Sequence, residues 1–227
     1  MSEENQHIEE QEPSSAKLVL ALGIAGLLSG FVLVGTFLFT NPYIKANQQA
    51  AIERAILNVI PNCDSFSTLV LTKSGLEIKN TDNNEKEEAD KEELLIYAGF
   101  NLQGGLIGFA IPGSEPGFQD VISSIYGYNN VNKTIIGFEV LESKETPGLG
   151  DKIIKDQDFQ VNFKSLSVEP EIITVKKGEK ENKNEVEAIS GATISSKAIV
   201  RLLNKSIALW QPAIDQYVND NNIEVTK

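Results

Sequence analysis

The sequence predicts an α+β domain preceded by one membrane-spanning helix. Three observations carry this expectation. An uncharged run of 23 residues lies near the start, short apolar runs of strand length fill the middle, and an amphipathic run closes the chain.

The uncharged run is Leu18 to Thr40. At about 1.5 Å per residue it reaches roughly 34 Å, enough to cross a hydrocarbon core of about 30 Å. Glu3, Glu4, Glu9, Glu10 and Glu12 precede it against a single Lys17, whereas a cleaved signal would be basic there. The run therefore reads as a retained single-pass anchor ended by Pro42. Gly26 and Gly30 form a small-xxx-small pair that permits close contact with another helix. Lys17 on one side and Lys45 and Arg54 on the other lean by one charge toward a cytoplasmic C-terminal part, too little to set orientation.

Next, Ile52, Ala55, Ile56, Val59 and Ile60 fall at amphipathic spacing, predicting a helix over 46–60 closed by Pro61. Candidate strands are Leu94–Phe100, Leu106–Ile111, Val121–Tyr128, Thr134–Leu141 and Glu171–Val175. Gly104-Gly105, Pro112-Gly113 and Pro116-Gly117 punctuate them. A last helix over 197–210 carries Ile199, Leu203, Ile207 and Trp210 on one face. Two polar stretches interrupt the series. Residues 81–93 hold seven acids and two lysines, without the spaced ligands and turn glycine of a calcium loop, and read as solvated. Residues 176–187 are mixed and polar.

Composition removes much chemistry. The 227 residues carry 20 Lys and Arg against 32 Asp and Glu, a net charge of −12, which argues against nucleic acid as a partner. One cysteine, Cys63, excludes an internal disulfide, an iron–sulfur cluster and a cysteine-rich zinc site, so no metal is expected. The lone His7 lies beyond the anchor, which disfavours a serine triad or a haem. Redox or group-transfer chemistry here must use a borrowed cofactor or carboxylates, hydroxyls and backbone amides.

Two short motifs are left. Ser190-Gly191-Ala192-Thr193 leads through Ile194, Ser195 and Ser196 into the last helix, with Ser195 or Ser196 as the natural N-cap. Small residues let a ligand approach the backbone, and a helix N-terminus favours an anion such as phosphate beside the Thr193 hydroxyl. The same residues also suit an ordinary serine-rich helix start. Glu145-Thr146-Pro147-Gly148-Leu149-Gly150 would expose Thr146 and backbone amides at a sheet edge, or form a plain turn.

The pairing of ETPGLGDKI with SGATISS resembles the FMN-binding domain of respiratory ion pumps, above all the G subunit of the Rnf-type electron transport complex. The C subunit of the sodium-pumping NADH:quinone reductase shares the plan and is the alternative, as is an anchored FMN-domain module without a redox role. The resemblance implies a division into an acidic tail (1–17), an anchor (18–40), a connecting part (41–93), the FMN-binding domain (94–210) and a C-terminal tail (211–227). It implies FMN joined through its phosphate to Thr193, made from FAD by a separate flavin transferase. Ser190, Gly191, Ala192 and Ser195 surround that residue. The loop of Glu145, Thr146, Pro147, Gly148, Leu149 and Gly150 resembles the family segment that lies against the flavin ring, which implies Thr146 and Leu149 as direct contacts. The family usually has Asp six residues before the threonine; Glu187 stands there, as the residue for transferase recognition. The resemblance further implies an electron-carrying subunit within an oxidoreductase complex. Its partners are the other membrane and redox subunits and the transferase. The resemblance also implies that the chain lies in the cell inner membrane, with the soluble domain on the periplasmic face.

Overall fold

The computed structural model describes residues 14–79, 93–221 and 223. The acidic tail up to residue 13 and nearly all of the acidic stretch 81–93 lie outside the described residues. The chain divides into two units, Met1–Gln49 and Ala50–Lys227.

The first unit holds most of helix α1 (Ser15–Val59). Its large apolar side chains from Leu18 to Phe39 are exposed, and it is long and apolar enough to cross a membrane. Pro42 does not end it, contrary to expectation. A proline removes one backbone donor and crowds the preceding turn, but apolar helices accommodate this where hydroxyls serve nearby carbonyls. The Thr40 hydroxyl donates to the carbonyls of Thr36 at 2.9 Å and Phe37 at 3.4 Å.

The second unit is built on an antiparallel sheet. Its strands are β1 (Ser65–Thr72), β2 (Gly75–Ile78), β3 (Leu95–Phe100), β4 (Leu106–Pro116), β5 (Val121–Asn129), β6 (Thr134–Glu142) and β7 (Leu166–Ser167). Their spatial order is β2-β1-β3-β4-β5-β6-β7. Two short helices, α2 (Lys152–Lys155) and α3 (Gln157–Val161), follow β6. A separate parallel pair, β8 (Ile173–Val175) and β9 (Glu185–Glu187), precedes the last helix, α4 (Thr193–Asp220).

Four of the predicted strands form the centre of the sheet, with two differences. β4 runs through Pro112-Gly113, a pair expected to interrupt it. Its ladder with β3 ends at Ala110, so beyond that point one edge of β4 is free, where proline is tolerated. The hairpin β1–β2 is additional to the predicted strands; it joins the same sheet through β3, so the sheet begins at Ser65. In the polar stretch 176–187, the last three residues are strand β9, with Val186 fully buried.

Side chains alternate across a strand, so the two faces of the sheet bury different sets. One face carries Ile96, Ala98, Phe109, Ile111, Tyr126 and Tyr128 in one core with Ile199, Leu203, Ile207, Trp210, Ile214 and Tyr217 of α4. The stripe predicted for the last helix is therefore its buried face. That helix continues through Pro212 to Asp220, so residues 211–220 are helix where a tail was expected. Burial of Ile214 and Tyr217 beyond the proline supplies the reason. Tyr126 donates to Ser206 Oγ at 2.8 Å, and Glu115 at the end of β4 holds Lys205 at 2.8 Å and Arg201 at 3.2 Å. These bonds set the register of α4 along the sheet.

The opposite face carries Tyr97, Ala110 and Ile125 against Ala55, Ile56, Val59 and Ile60 at the end of α1. Gly127 of β5 pairs with Gly137 of β6. A Cβ on either would meet the Val59 carbonyl oxygen, at 2.0 Å and 2.4 Å respectively. The helix end thus seats its backbone directly on two bare positions of the sheet.

Candidate functional site

Three segments converge at the end of the sheet where β4 turns into β5 and β6 exits: the turn 117–120, the loop 143–150 and the first turn of α4. Each is shaped locally. Thr146-Pro147-Gly148-Leu149 closes with Leu149 N–H donating to Thr146 O at 3.1 Å. Pro147 and a Gly148 φ of +79° are what the two central places of a type II turn require. Ile189-Ser190-Gly191-Ala192 repeats the arrangement, with Ala192 N–H donating to Ile189 O at 2.9 Å and a Gly191 φ of +83°. The two turns face each other: a Cβ on Gly191 would lie 3.6 Å from Leu149 Cδ2. The two sequence motifs, separate in the chain, form opposite walls of one cleft.

The cleft has a volume of about 320 Å3, within the range of small-molecule sites. It is lined by Phe118, Glu145, Thr146, Leu149, Gly150 and the run Gly191 to Ser195. Pro147, Gly148 and Ser190 are exposed and stand outside this lining. Phe118 and Ile194 belong to it without any signal in the sequence pattern. With Leu149 they form an apolar rim, exposed by 66%, 51% and 49%. Large apolar groups left this open around a cleft mark a surface for an apolar ligand.

Helix α4 begins four residues earlier than expected. Its N-cap is Ala192, and neither Ser195 nor Ser196 caps it. Both serines are buried and serve other partners. Ser196 Oγ accepts from Ile189 N–H at 3.1 Å and donates to Ala192 O at 3.0 Å, which fastens the Gly191 turn onto the helix. Thr193 takes the first helical position with its side chain exposed. The helical backbone bonds begin at Ser196 N–H to Ala192 O, so the N–H groups of Thr193, Ile194 and Ser195 point out of the helix start beside the Thr193 hydroxyl.

Glu145 is the tie among the three segments. It is only 5% exposed. Its Oε1 accepts from Phe118 N–H at 2.9 Å and Gln119 N–H at 3.0 Å, and its Oε2 accepts from Ser195 Oγ at 2.5 Å. Gly117 and Gly150 leave room for it: a Cβ would lie 2.5 Å from Oε1 at the first and 2.6 Å from Oε2 at the second. Burial alone would push its carboxyl up. The Ser195 hydroxyl and the backbone donors of Gln119, Phe118 and Asp120 outweigh that and hold it below its ordinary value. Thr146 Oγ1 donates to Gln119 Oε1 at 2.9 Å, closing the same seam.

A pH dependence follows. A carboxyl titrating below its unfolded value of about 4.3 contributes stability that is fully present above that pH. The contribution is lost as pH falls through the folded value. The gap in melting temperature between the native chain and Glu145→Gln is expected to be constant near neutrality and to narrow below about pH 4. A gap unchanged down to pH 3 would show that the charge is not what ties the segments.

Glu187, six residues before Thr193, lies in β9 and outside the cleft lining. Its Oε1 accepts from Gly178 N–H at 3.0 Å, and its own N–H donates to Asn162 Oδ1 at 3.2 Å.

The FMN-binding domain family matches residues 117–208, the span from the first cleft turn into α4. The G subunit of the ion-translocating oxidoreductase complex of Methanosarcina acetivorans is 28% identical over 84% of this chain and 92% of its own length. The G subunit of the Na(+)-translocating ferredoxin:NAD(+) oxidoreductase complex of Acetobacterium woodii is 31% identical over 81% of this chain and 82% of its own. Among solved structures, NqrC of Shewanella oneidensis superposes with a TM-score of 0.59 at 18% identity, covering 75% of this chain and 98% of that one, which is a likeness of fold.

Proposed function

This chain belongs to the family of G subunits of ion-translocating oxidoreductase complexes, and from that premise we propose that it is a membrane-anchored electron carrier whose FMN is linked through phosphate to Thr193. The observation that carries the proposal is the convergence of both motifs on one cleft, with an exposed threonine hydroxyl at the start of a long helix.

The cleft suits FMN in its parts. The outward N–H groups of Thr193, Ile194 and Ser195 offer donors and partial positive charge to a phosphodiester anion, favouring it by some tenths to about 1 kcal/mol. Gly191 has no Cβ to obstruct the approach. Phe118, Leu149 and Ile194 offer apolar contact to a flat ring system. Thr146 and the backbone of its loop supply polar edges.

In attachment, Thr193 Oγ takes the flavin-bearing phosphoryl group from FAD. One oxygen–phosphorus bond forms, the pyrophosphate bond breaks, AMP leaves and the hydroxyl proton is released. A flavin transferase performs this step, and Glu187, near the motif, is the candidate for its recognition. FMN when bound supplies one- and two-electron chemistry. The protein's own residues hold its phosphate, confine the ring and exclude water from one side. The tether retains the flavin in a compartment without a free flavin supply, which fits a soluble domain on the outer face of the inner membrane. Helix α1 supplies the anchor. The partners are the other membrane and redox subunits, with which electrons are exchanged. The match to G subunits over four-fifths of the chain favours this reading over that of a C subunit of the sodium pump.

Co-expression of the full chain with a flavin transferase is expected to give a band on a denaturing gel that fluoresces under ultraviolet light. A dark band from a well-expressed chain would overturn the proposal.

A further inference from the structure

We propose that Glu145 is a positioning residue and fixed anion of the flavin cleft, which lowers the flavin's reduction potential without serving as a flavin ligand. This rests on the FMN reading above and deepens it.

Contact chemistry leaves little for Glu145 to offer a ligand. Phe118 N–H, Gln119 N–H and Ser195 Oγ already occupy its oxygens at 2.5–3.0 Å. An ionised carboxylate has acceptors only, so it has nothing to donate to the flavin carbonyls or to the ring nitrogen that gains a proton. Its carboxyl is held below the ordinary value, so it carries a full charge at neutral pH. No lysine or arginine is within ion-pairing distance of it among the described residues. A charge 5% exposed is screened far less by water and salt than a surface one.

The consequence concerns reduction. Two electrons and one proton added to the neutral ring leave one net negative charge on it. The electrons come from a neighbouring redox subunit in the complex, or from dithionite in the test. A fixed anion in the wall of the same cleft opposes that added charge, so reduction requires a stronger donor.

The test is a redox titration at pH 7.5 of the flavin-loaded full chain, with Glu145→Gln and Ser195→Ala. Glutamine keeps the shape and can still accept from the two amides, and it removes the charge. The midpoint potential is expected to rise in Glu145→Gln. Ser195→Ala removes a donor that offsets the charge, so its potential is expected to fall or stay unchanged. A brace acting through structure alone would loosen the cleft in both variants and move both potentials the same way. That outcome, or an unchanged potential in Glu145→Gln, overturns the inference. If Glu145→Gln does not accumulate, an upward shift in Ser195→Ala overturns it by itself. Absence of flavin from the native chain would instead defeat the FMN reading, which keeps the two failures distinct.

Discussion

Thr193→Val is expected to accumulate to normal levels and show no flavin fluorescence after denaturation. Valine keeps the β-branched shape and removes the one hydroxyl at stake. Thr193 is exposed at the first position of α4, and no hydrogen bond among the described residues uses its side chain, so folding has little to lose. Surface changes of this kind stay within about 0.5 kcal/mol. The loss of attachment, by contrast, should be complete, because a phosphoester cannot form without an oxygen nucleophile. A denaturing gel and a thermal melt of the same preparation read both effects. Fluorescence retained in the variant would move the attachment to another hydroxyl, with Ser190 the exposed alternative in the motif.

Gly127→Ala is expected to produce the largest loss of stability of any conservative change in the sheet. The new methyl would lie 2.0 Å from the Val59 carbonyl oxygen and 2.8 Å from its carbon. Neither atom is the end of a flexible side chain. Relief requires the end of α1 to lift from the sheet, uncovering Tyr97, Ala110 and Ile125. Overpacking commonly costs about 1–3 kcal/mol, and a backbone obstacle places this site at about 3 kcal/mol or more. Gly104→Ala provides the comparison. Its φ is +79° and nothing lies within 4 Å of its Cβ direction. It should cost only the left-handed backbone penalty of about 1 kcal/mol. Urea unfolding of the detergent-solubilised chain separates them. Equal midpoints for the two variants would show that α1 is not seated on the glycine pair.

Much of the site is legible in the sequence because its parts are local. Pro147-Gly148 marks its turn within four residues, and Thr193 lies within four residues of the helix start that amphipathic spacing predicts. The central strands are legible for the same reason, since their apolar runs end near their own boundaries. Proline is a less reliable guide. Pro42 and Pro112 each read as a stop, and Pro212 follows the expected end of the last helix, yet each lies inside an element. A missing donor ends an isolated segment, but a free edge or a buried face beyond the proline offsets that cost.

Glu145 marks the other limit. Its motif is visible, yet its role depends on Phe118 and Gln119, 27 and 26 residues away, and on Ser195, 50 residues away. Phe118 and Ile194 are invisible as cleft residues, because an isolated aromatic or aliphatic after a turn has no periodicity to place it. The paired glycines at 127 and 137 are equally silent, since only the docked end of α1 shows what their bare backbone admits.

By itself, then, the sequence determined the apolar span, the α+β class, the turn at Pro147-Gly148 and the small-residue run that carries Thr193, all set by interactions within a few residues. The tertiary structure decided which walls form the cleft, where α4 begins, and that a buried carboxylate rather than a serine cap locks its first turn. Those outcomes arise from groups far apart in the chain meeting in a dry interior, where each buried donor and charge must find its partner.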